Sequence, residues 1–348
     1  MKSFKRGTTL FRSTHSENYR CGTPRQQITV SPIQYSELLT LTLGGTPAES
    51  TMALLDGAGL LDDHMGKIEL TERYSARAEN TDAAFSQLRA RLAPELSHTT
   101  WISGVRDGGV AILTARQNYL VEISGNNRVA TLLYSLLLAS GFTHTRLAIE
   151  SKNSHPRILD SDIGVAGITP SEIGSLRSKR ESHLRHEISL FHIDKGVNYN
   201  DELSTPDLLV HCGDIDPHRY AQWMADGQNF LHIPQPVADT AQIGPLVIPG
   251  KSPCIRCAEL TQAEFTGTQG KDLLPKNAAE LAEYPIIAAH YVAAIAASLI
   301  TQFFDNNFFD NNPEREVAGK VILCNYQSPA TSREVAISRH PLCGCAFH

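Results

Sequence analysis

The sequence predicts an α/β fold on a mostly parallel sheet, with a smaller module before it and a thiol-clamped hairpin after it. Three observations predict this. Residues 118–150 read as strand, helix and strand around a glycine-containing turn. Two further apolar strands, Pro206–Asp214 and Asn229–Ile233, flank a helical stretch at 217–227. Two close cysteine pairs, Cys254/Cys257 and Cys343/Cys345, bracket the C-terminal part of the chain. Alternation of strand and helix is the signature of parallel βαβ construction.

The 348 residues suffice for one large α/β domain and a smaller one. Hydrophobic residues make up 41% and charged residues 20%, which places the chain among soluble globular proteins. A formal net charge of −6 and scattered Lys and Arg argue against a nucleic-acid surface. The basic start Met1-Lys-Ser-Phe-Lys-Arg6 lacks a following apolar region, so no signal peptide is read. The most apolar stretch, 285–304, contains His290, Ser298, Thr301 and Gln302 and reads as a core helix, not a membrane span. A cytoplasmic location is expected, where the seven cysteines are free thiols or metal ligands.

Residues 1–18 are polar and aperiodic and read as a mobile tail. A small module spans 19–75. Gln26–Val30 is strand-like, and Ser31-Pro32 opens a helix with Ser as cap and Pro in the first turn. Leu38, Leu39, Leu41 and Leu43 follow until Gly44-Gly45. Thr46-Pro47 opens a second helix carrying Met52, Leu54 and Leu55, and Lys67–Leu70 reads as a strand. Strand, helix, helix, strand is compatible with a winged-helix module, which can hold a peptide at its sheet edge. A packing subdomain or oligomer contact is the competing reading. Residues 76–117 connect the two parts, beginning with a helix over 76–100 that carries Phe85, Leu88, Leu92 and Leu96.

The main domain spans 118–348. Strand Asn118–Ser124 leads through Gly125-Asn-Asn-Arg-Val-Ala130 into a helix with Val129, Leu132, Leu133, Leu136 and Leu137 on one face, ended by Gly141. Strand Thr145–Glu150 ends in an acid where a ribose-binding carboxylate would lie. A phosphate turn wants small residues, and Asn127 stands in the second place with a side chain expected to project toward the phosphate. Nucleotide binding and a purely structural βαβ unit both stay open. An irregular segment (151–174) and a basic helix (175–186) follow, with Arg177, Arg180 and Arg185 as anion contacts or a solvated face. Ile188–Ile193, Pro206–Asp214 and Asn229–Ile233 are strands, with Asp214 at a carboxyl end where α/β sheets place ligands. Residues 259–276 read as a polar lid or crossover loop, and 317–324 with 332–338 as a closing hairpin.

Cys254-x-x-Cys257 and Cys343-Gly-Cys345 fit one tetrahedral four-sulfur zinc site with no position left for water, hence structural. Reduced buried thiols or a redox pair are the alternatives. His340 could substitute for one Cys as ligand, with a helper hydrogen bond to the site as the favoured reading. Cys21, Cys212 and Cys324 lie in or beside apolar strands and read as core, with a reactive thiol as the alternative for Cys212 beside Asp214.

The stretches Gly244–Cys257 and His340–Cys345, with weaker matches at Gly125–Ala130, Ile173–Arg177 and Leu209–Asp214, resemble the ThiF/MoeB-like superfamily, the fold of ubiquitin-activating enzymes. They are most similar to ThiF-type cyclodehydratase partner proteins of thiazole/oxazole-modified peptide (bacteriocin) biosynthesis. The resemblance implies a Rossmann-like sheet, a C-terminal zinc site, a homodimer, and an N-terminal winged-helix-like module that binds a precursor peptide. The α/β domain would present that peptide to a YcaO-like partner enzyme. It also implies the alternative chemistry of the wider superfamily, ATP-dependent adenylation of a peptide or carrier-protein C-terminal carboxylate. Gly125 would then support the phosphate turn, Arg128 and Arg177 would approach the phosphates, Glu150 would take the ribose, and Asp214 the Mg. The sequence departs from that pattern at Asn127 and around Lys152. It also has no recognisable Asn-Leu-x-Arg-Gln segment and no Cys within 259–276.

Overall fold

The computed structural model describes residues 2–63 apart from 13, 15 and 16, then 90–148, 156–188, 205–267, 283–308 and 317–347. The chain divides into two compact units, Met1–Ala115 and Arg116–His348.

In the first unit, β1 (Ser3–Phe4), β2 (Thr9–Arg12), β3 (Tyr19–Gly22) and β4 (Gln27–Val30) precede α1 (Pro32–Thr42), α2 (Glu49–Gly57) and β5 (Leu61–Asp62). β2, β3 and β4 form an antiparallel meander, and β1 pairs with β5. The expected mobile tail is therefore corrected: it supplies two strands. They are too short to show a period, and their partners at 19–22 and 61–62 supply the ladder. Ser31 caps α1 in a reciprocal box, its hydroxyl accepting from the Gln34 N–H while Gln34 Oε1 accepts from the Ser31 N–H. Cys21, Val30, Leu38, Leu55, Leu60 and Leu61 form this unit's core, so Cys21 is a packing residue. α3 (Ala93–Thr99) belongs to it too: Lys5 donates to Thr100 O at 2.6 Å and Val105 O at 2.7 Å. The strand expected at Lys67–Leu70 and most of the helix expected over 76–100 lie outside the described residues. α4 (Val110–Arg116) ends at the first residue of the second unit.

The second unit is built on β6 (Val121–Ser124), α5 (Arg128–Ala139), β7 (Thr145–Leu147), α6 (Arg177–Ile188), β8 (Leu208–Cys212), α7 (Pro217–Ala225) and β9 (Phe230–Ile233). The five-stranded sheet runs β11-β9-β8-β6-β7, parallel except for the edge strand β11 (Leu246–Val247). A second, antiparallel sheet joins β10 (Thr240–Ile243), β12 (Lys320–Asn325) and β13 (Arg333–Ala336). The hairpin read from the sequence is thus present. Residues 189–193 of the expected third strand lie outside the described residues, and Ile188 ends α6.

α5 buries residues on nearly every side, as a helix apolar all round must. It packs against α9 (Ile286–Phe308), whose Ala288, Ala289, Val292, Ala293, Ala296 and Ile300 are buried. α9 is long and apolar enough to cross a membrane, but half of its apolar window is buried in this core. Its small residues let the two helices approach. Each large aliphatic side chain fully buried here, such as Leu133 or Ile300, stabilises the fold by about 1.5–3 kcal/mol.

The polar loop expected from 259 is corrected over its described part. Ile255–Thr266 is a helix, α8, with Cys254 as N-cap and Gly267 in the left-handed conformation that stops it. Its exposed polar face hides the helical period.

Candidate functional site

Two places in the second unit gather chemistry. The first is the thiol cluster. Cys254 caps the N-terminus of α8, and Cys257 lies one turn along the same helix. β13 carries the chain back past Gly319, whose carbonyl accepts the Ile337 N–H, and so delivers Cys343 and Cys345. A Cβ on Gly319 would meet Pro253 Cδ at 2.7 Å, so only glycine lets hairpin and thiol turn approach this closely.

All four sulfurs are buried and lie within 4.8 Å of one another. Cys254 Sγ is 3.8 Å from Cys257 Sγ and 3.5 Å from Cys343 Sγ, and Cys257 Sγ is 3.3 Å from Cys345 Sγ. Tetrahedral thiolates at the usual zinc–sulfur length are about 3.8 Å apart, so the set fits a metal ion such as zinc. The His340 N–H points at Cys257 Sγ at 3.4 Å. Burial pushes Cys254 up. It opposes ionisation at Cys257 too, but the N–H of His340 and the neighbouring cysteines prevail and lower that thiol to about 7. One thiol is thus poised to ionise first, as metal capture requires. His340 does not take the place of a cysteine in the set. Its Nδ1 accepts from the Leu342 N–H, and its Nε2 lies 2.9 Å from Glu264 Oε1.

The second place is the carboxyl edge of the parallel sheet. Gly125 follows β6 with φ +110°, and a Cβ there would lie 2.0 Å from Cys212 O. The glycine is needed for the approach of β6 to the end of β8, which brings the Gly125 turn beside Asp214. Asn127 does not project its side chain as expected. Its extended backbone makes it the N-cap of α5, and its Oδ1 accepts the Ala130 N–H at 3.0 Å. Its Nδ2 is buried with no partner among the described residues.

Arg128 donates to Tyr284 O at 2.6 Å and to Ser161 O, and its buried Nε has no partner among the described residues. Arg177, the first residue of α6, reaches Thr131 Oγ1 on α5 at 3.1 Å and Asp162 Oδ2 at 2.7 Å. Its Nε is likewise without a partner among them. Arg180 is bound by Glu172 and Ala166 O, and Arg185 by Glu181 and Thr145 O, so neither belongs to a free basic face. Asp214 is exposed at the end of β8.

The structure thus brings Gly125, Asn127, Arg128 and Arg177 together around the first turns of α5, with Asp214 two residues past the end of the neighbouring strand β8. Glu150 lies outside the described residues. Ser161, Asp162 and Tyr284, which hold the two arginines, went unread in the sequence. Asp160-Ser-Asp162 carries the only signal, an acid able to cap the Leu159 N–H, and it does so at 2.8 Å. Cys212 and Cys324 are buried core residues; burial pushes Cys324 up to about 11 and Cys212 higher still, so neither is a reactive thiol.

No protein-family profile and no curated protein sequence matches the chain. Solved structures do. E. coli MccB with MccA-N7isoASN superposes with TM-score 0.66 at 13% identity, covering 100% of this chain and 99% of that one. The microcin C7 biosynthetic enzyme MccB in complex with N-formylated MccA gives 0.65 at 13%, over 99% of each chain. E. coli MccB with ATP gives 0.64 at 13%, over 100% and 99%. The likeness shows a shared fold over nearly the whole of both chains.

Proposed function

We propose that this chain is an ATP-dependent adenylyltransferase that activates the C-terminal carboxylate of a peptide or small protein. The observation that carries it is the amide nitrogen of Asn127. It is a buried donor without a partner among the described residues, at the N-terminus of a twelve-residue helix. Buried donors left open in this way are rare, and a helix N-terminus favours an anion. The Nε atoms of Arg128 and Arg177 add two donors of the same kind. The two partners of Arg128 named above are neutral carbonyls, so its charge is available to a phosphate.

Bound ATP supplies the electrophilic phosphorus that activates a carboxylate. Asn127 Nδ2, Arg128 and Arg177 hold its phosphates, Asp214 holds Mg, and Glu150 takes the ribose. The thiol cluster holds one structural zinc and fixes the hairpin behind the sheet. The first unit binds the peptide in the manner of a winged helix. Support comes from the likeness, over nearly the whole chain, to a protein solved with ATP and with N-formylated MccA.

One observation favours a second reading, a scaffold that presents a precursor peptide to a YcaO-like enzyme. Arg177 is paired with Asp162, which cancels one of the expected phosphate cations. Pyrophosphate exchange with peptides of varied C-terminus separates the two. Exchange that Asp214→Ala abolishes supports adenylation. Absence of both exchange and Mg-dependent ATP binding overturns it and leaves the scaffold. The homodimer is tested alongside by sedimentation.

A further inference from the structure

Ser124, His211 and His232 stand in one row across the sheet. Ser124 of β6 is in register with His211 of β8, and His211 with His232 of β9. Cross-strand partners in a parallel sheet face the same side, so the three side chains are neighbours. All three are buried. His211 Nε2 lies 2.9 Å from Asp214 O, and His232 Nε2 lies 2.9 Å from Gly213 O. A carbonyl only accepts, so each Nε2 carries the proton. In the neutral imidazole His211 Nδ1 is then the acceptor of the Ser124 hydroxyl at 2.7 Å.

The consequence falls on Asp214. Gly213, with φ +134°, gives its N–H to Ile233 O at 2.8 Å. The peptide planes on either side of Asp214 are each held through their carbonyl, one by His232 and one by His211. With both planes fixed, φ and ψ of Asp214 are fixed, and so is the direction of its Cβ.

We infer that His211 and His232 are positioning residues that aim the Asp214 carboxylate at its metal ion, with Ser124 setting the His211 tautomer. The inference rests on the nucleotide-binding reading above and names two residues that reading does not use. A glutamine amide nitrogen can take the place of imidazole Nε2, whereas an asparagine amide reaches only as far as Nδ1. The Gln and Asn variants therefore separate the N–H that matters from the mere presence of a polar side chain.

The test has two arms. Nitrogen-15 NMR of the full chain should show His211 and His232 as Nε2–H tautomers, and hydrogen exchange at 212–216 should speed up in His211→Asn and His232→Asn but not in the Gln variants. Calorimetry with ATP, with and without Mg, should show the Asn variants losing about 10–100-fold in Mg-dependent affinity, the range for groups that orient metal ligands. Mg-free binding should stay, and Gln should restore the Mg effect. An Nδ1–H tautomer at His211, or Asn and Gln variants that behave alike, would overturn the inference. A wild-type chain that binds no Mg-ATP overturns the proposed function instead. The props on the turn are then judged by the tautomers and hydrogen exchange, which need no nucleotide.

Discussion

Cys257 and Cys345, 88 residues apart in sequence, hold their sulfurs 3.3 Å apart. With Cys254 and Cys343 they close a buried four-thiol set between the start of α8 and the chain's tail. Elemental analysis of purified protein is expected to give about one zinc per chain. Cys257→Ser should lose it, because the most readily ionised thiol is removed. The cost should be several kcal/mol, at about 2–4 °C of melting temperature for each in a unit of this size. Metal-free wild-type protein with an unchanged melting temperature would remove the clamp from the account.

Arg116 and Asp305, 189 residues apart, form a bidentate pair with Nε–Oδ1 at 2.9 Å and Nη2–Oδ2 at 2.6 Å. Their side chains are 1% and 5% exposed, and Phe142 lies under the guanidinium. Asp305→Ala removes the bidentate partner of this buried guanidinium, which is expected to cost about 3–5 kcal/mol by denaturant unfolding. Replacing both partners with apolar residues should recover most of that loss, because the desolvation of both charges goes with them.

Asn127 has two roles that separate cleanly. Asn127→Ala removes the cap of α5 and should destabilise the fold by about 0.5–2 kcal/mol while weakening ATP. Asn127→Asp keeps an oxygen for the Ala130 N–H but replaces the donor with a charge that repels phosphate. It should melt like wild type and bind no nucleotide. Retained ATP affinity in the Asp variant would take Asn127 out of the phosphate site.

The sequence alone carried the βαβ unit around Gly125, the capped start of α1 at Ser31-Pro32 and the thiol clamp, because each is a local pattern. α9 was equally plain, since its apolar length exceeds any strand. What escaped depends on partners distant in sequence. β1 and β2 are two and four residues long, and only their ladders define them. The Ser124–His211–His232 row exists only once the strand register is known, and a scattered histidine announces nothing. Arg116 and Asp305 read as ordinary polar residues until α9 brings them together. Asn127 was visible but its rotamer was not: the side chain turns back to cap α5, which its place in a glycine pattern does not reveal.

Glu181 gives the pH test. Its carboxylate accepts the Leu147 N–H at 3.2 Å and lies 3.3 Å from Arg185 Nη2. Burial nevertheless outweighs both partners and raises it above the ordinary carboxylate range. A group raised on folding contributes most below its unfolded value, where it is protonated in both states. That contribution is lost as pH climbs through the folded value and is flat beyond it. Glu181→Gln stays neutral throughout and keeps an oxygen for the Leu147 N–H. The stability of the variant relative to wild type should therefore rise from about pH 4 to the raised folded value and then level off. Urea unfolding across that range measures it. A relative stability that falls over the same window would mean that Arg185, not burial, governs this carboxylate.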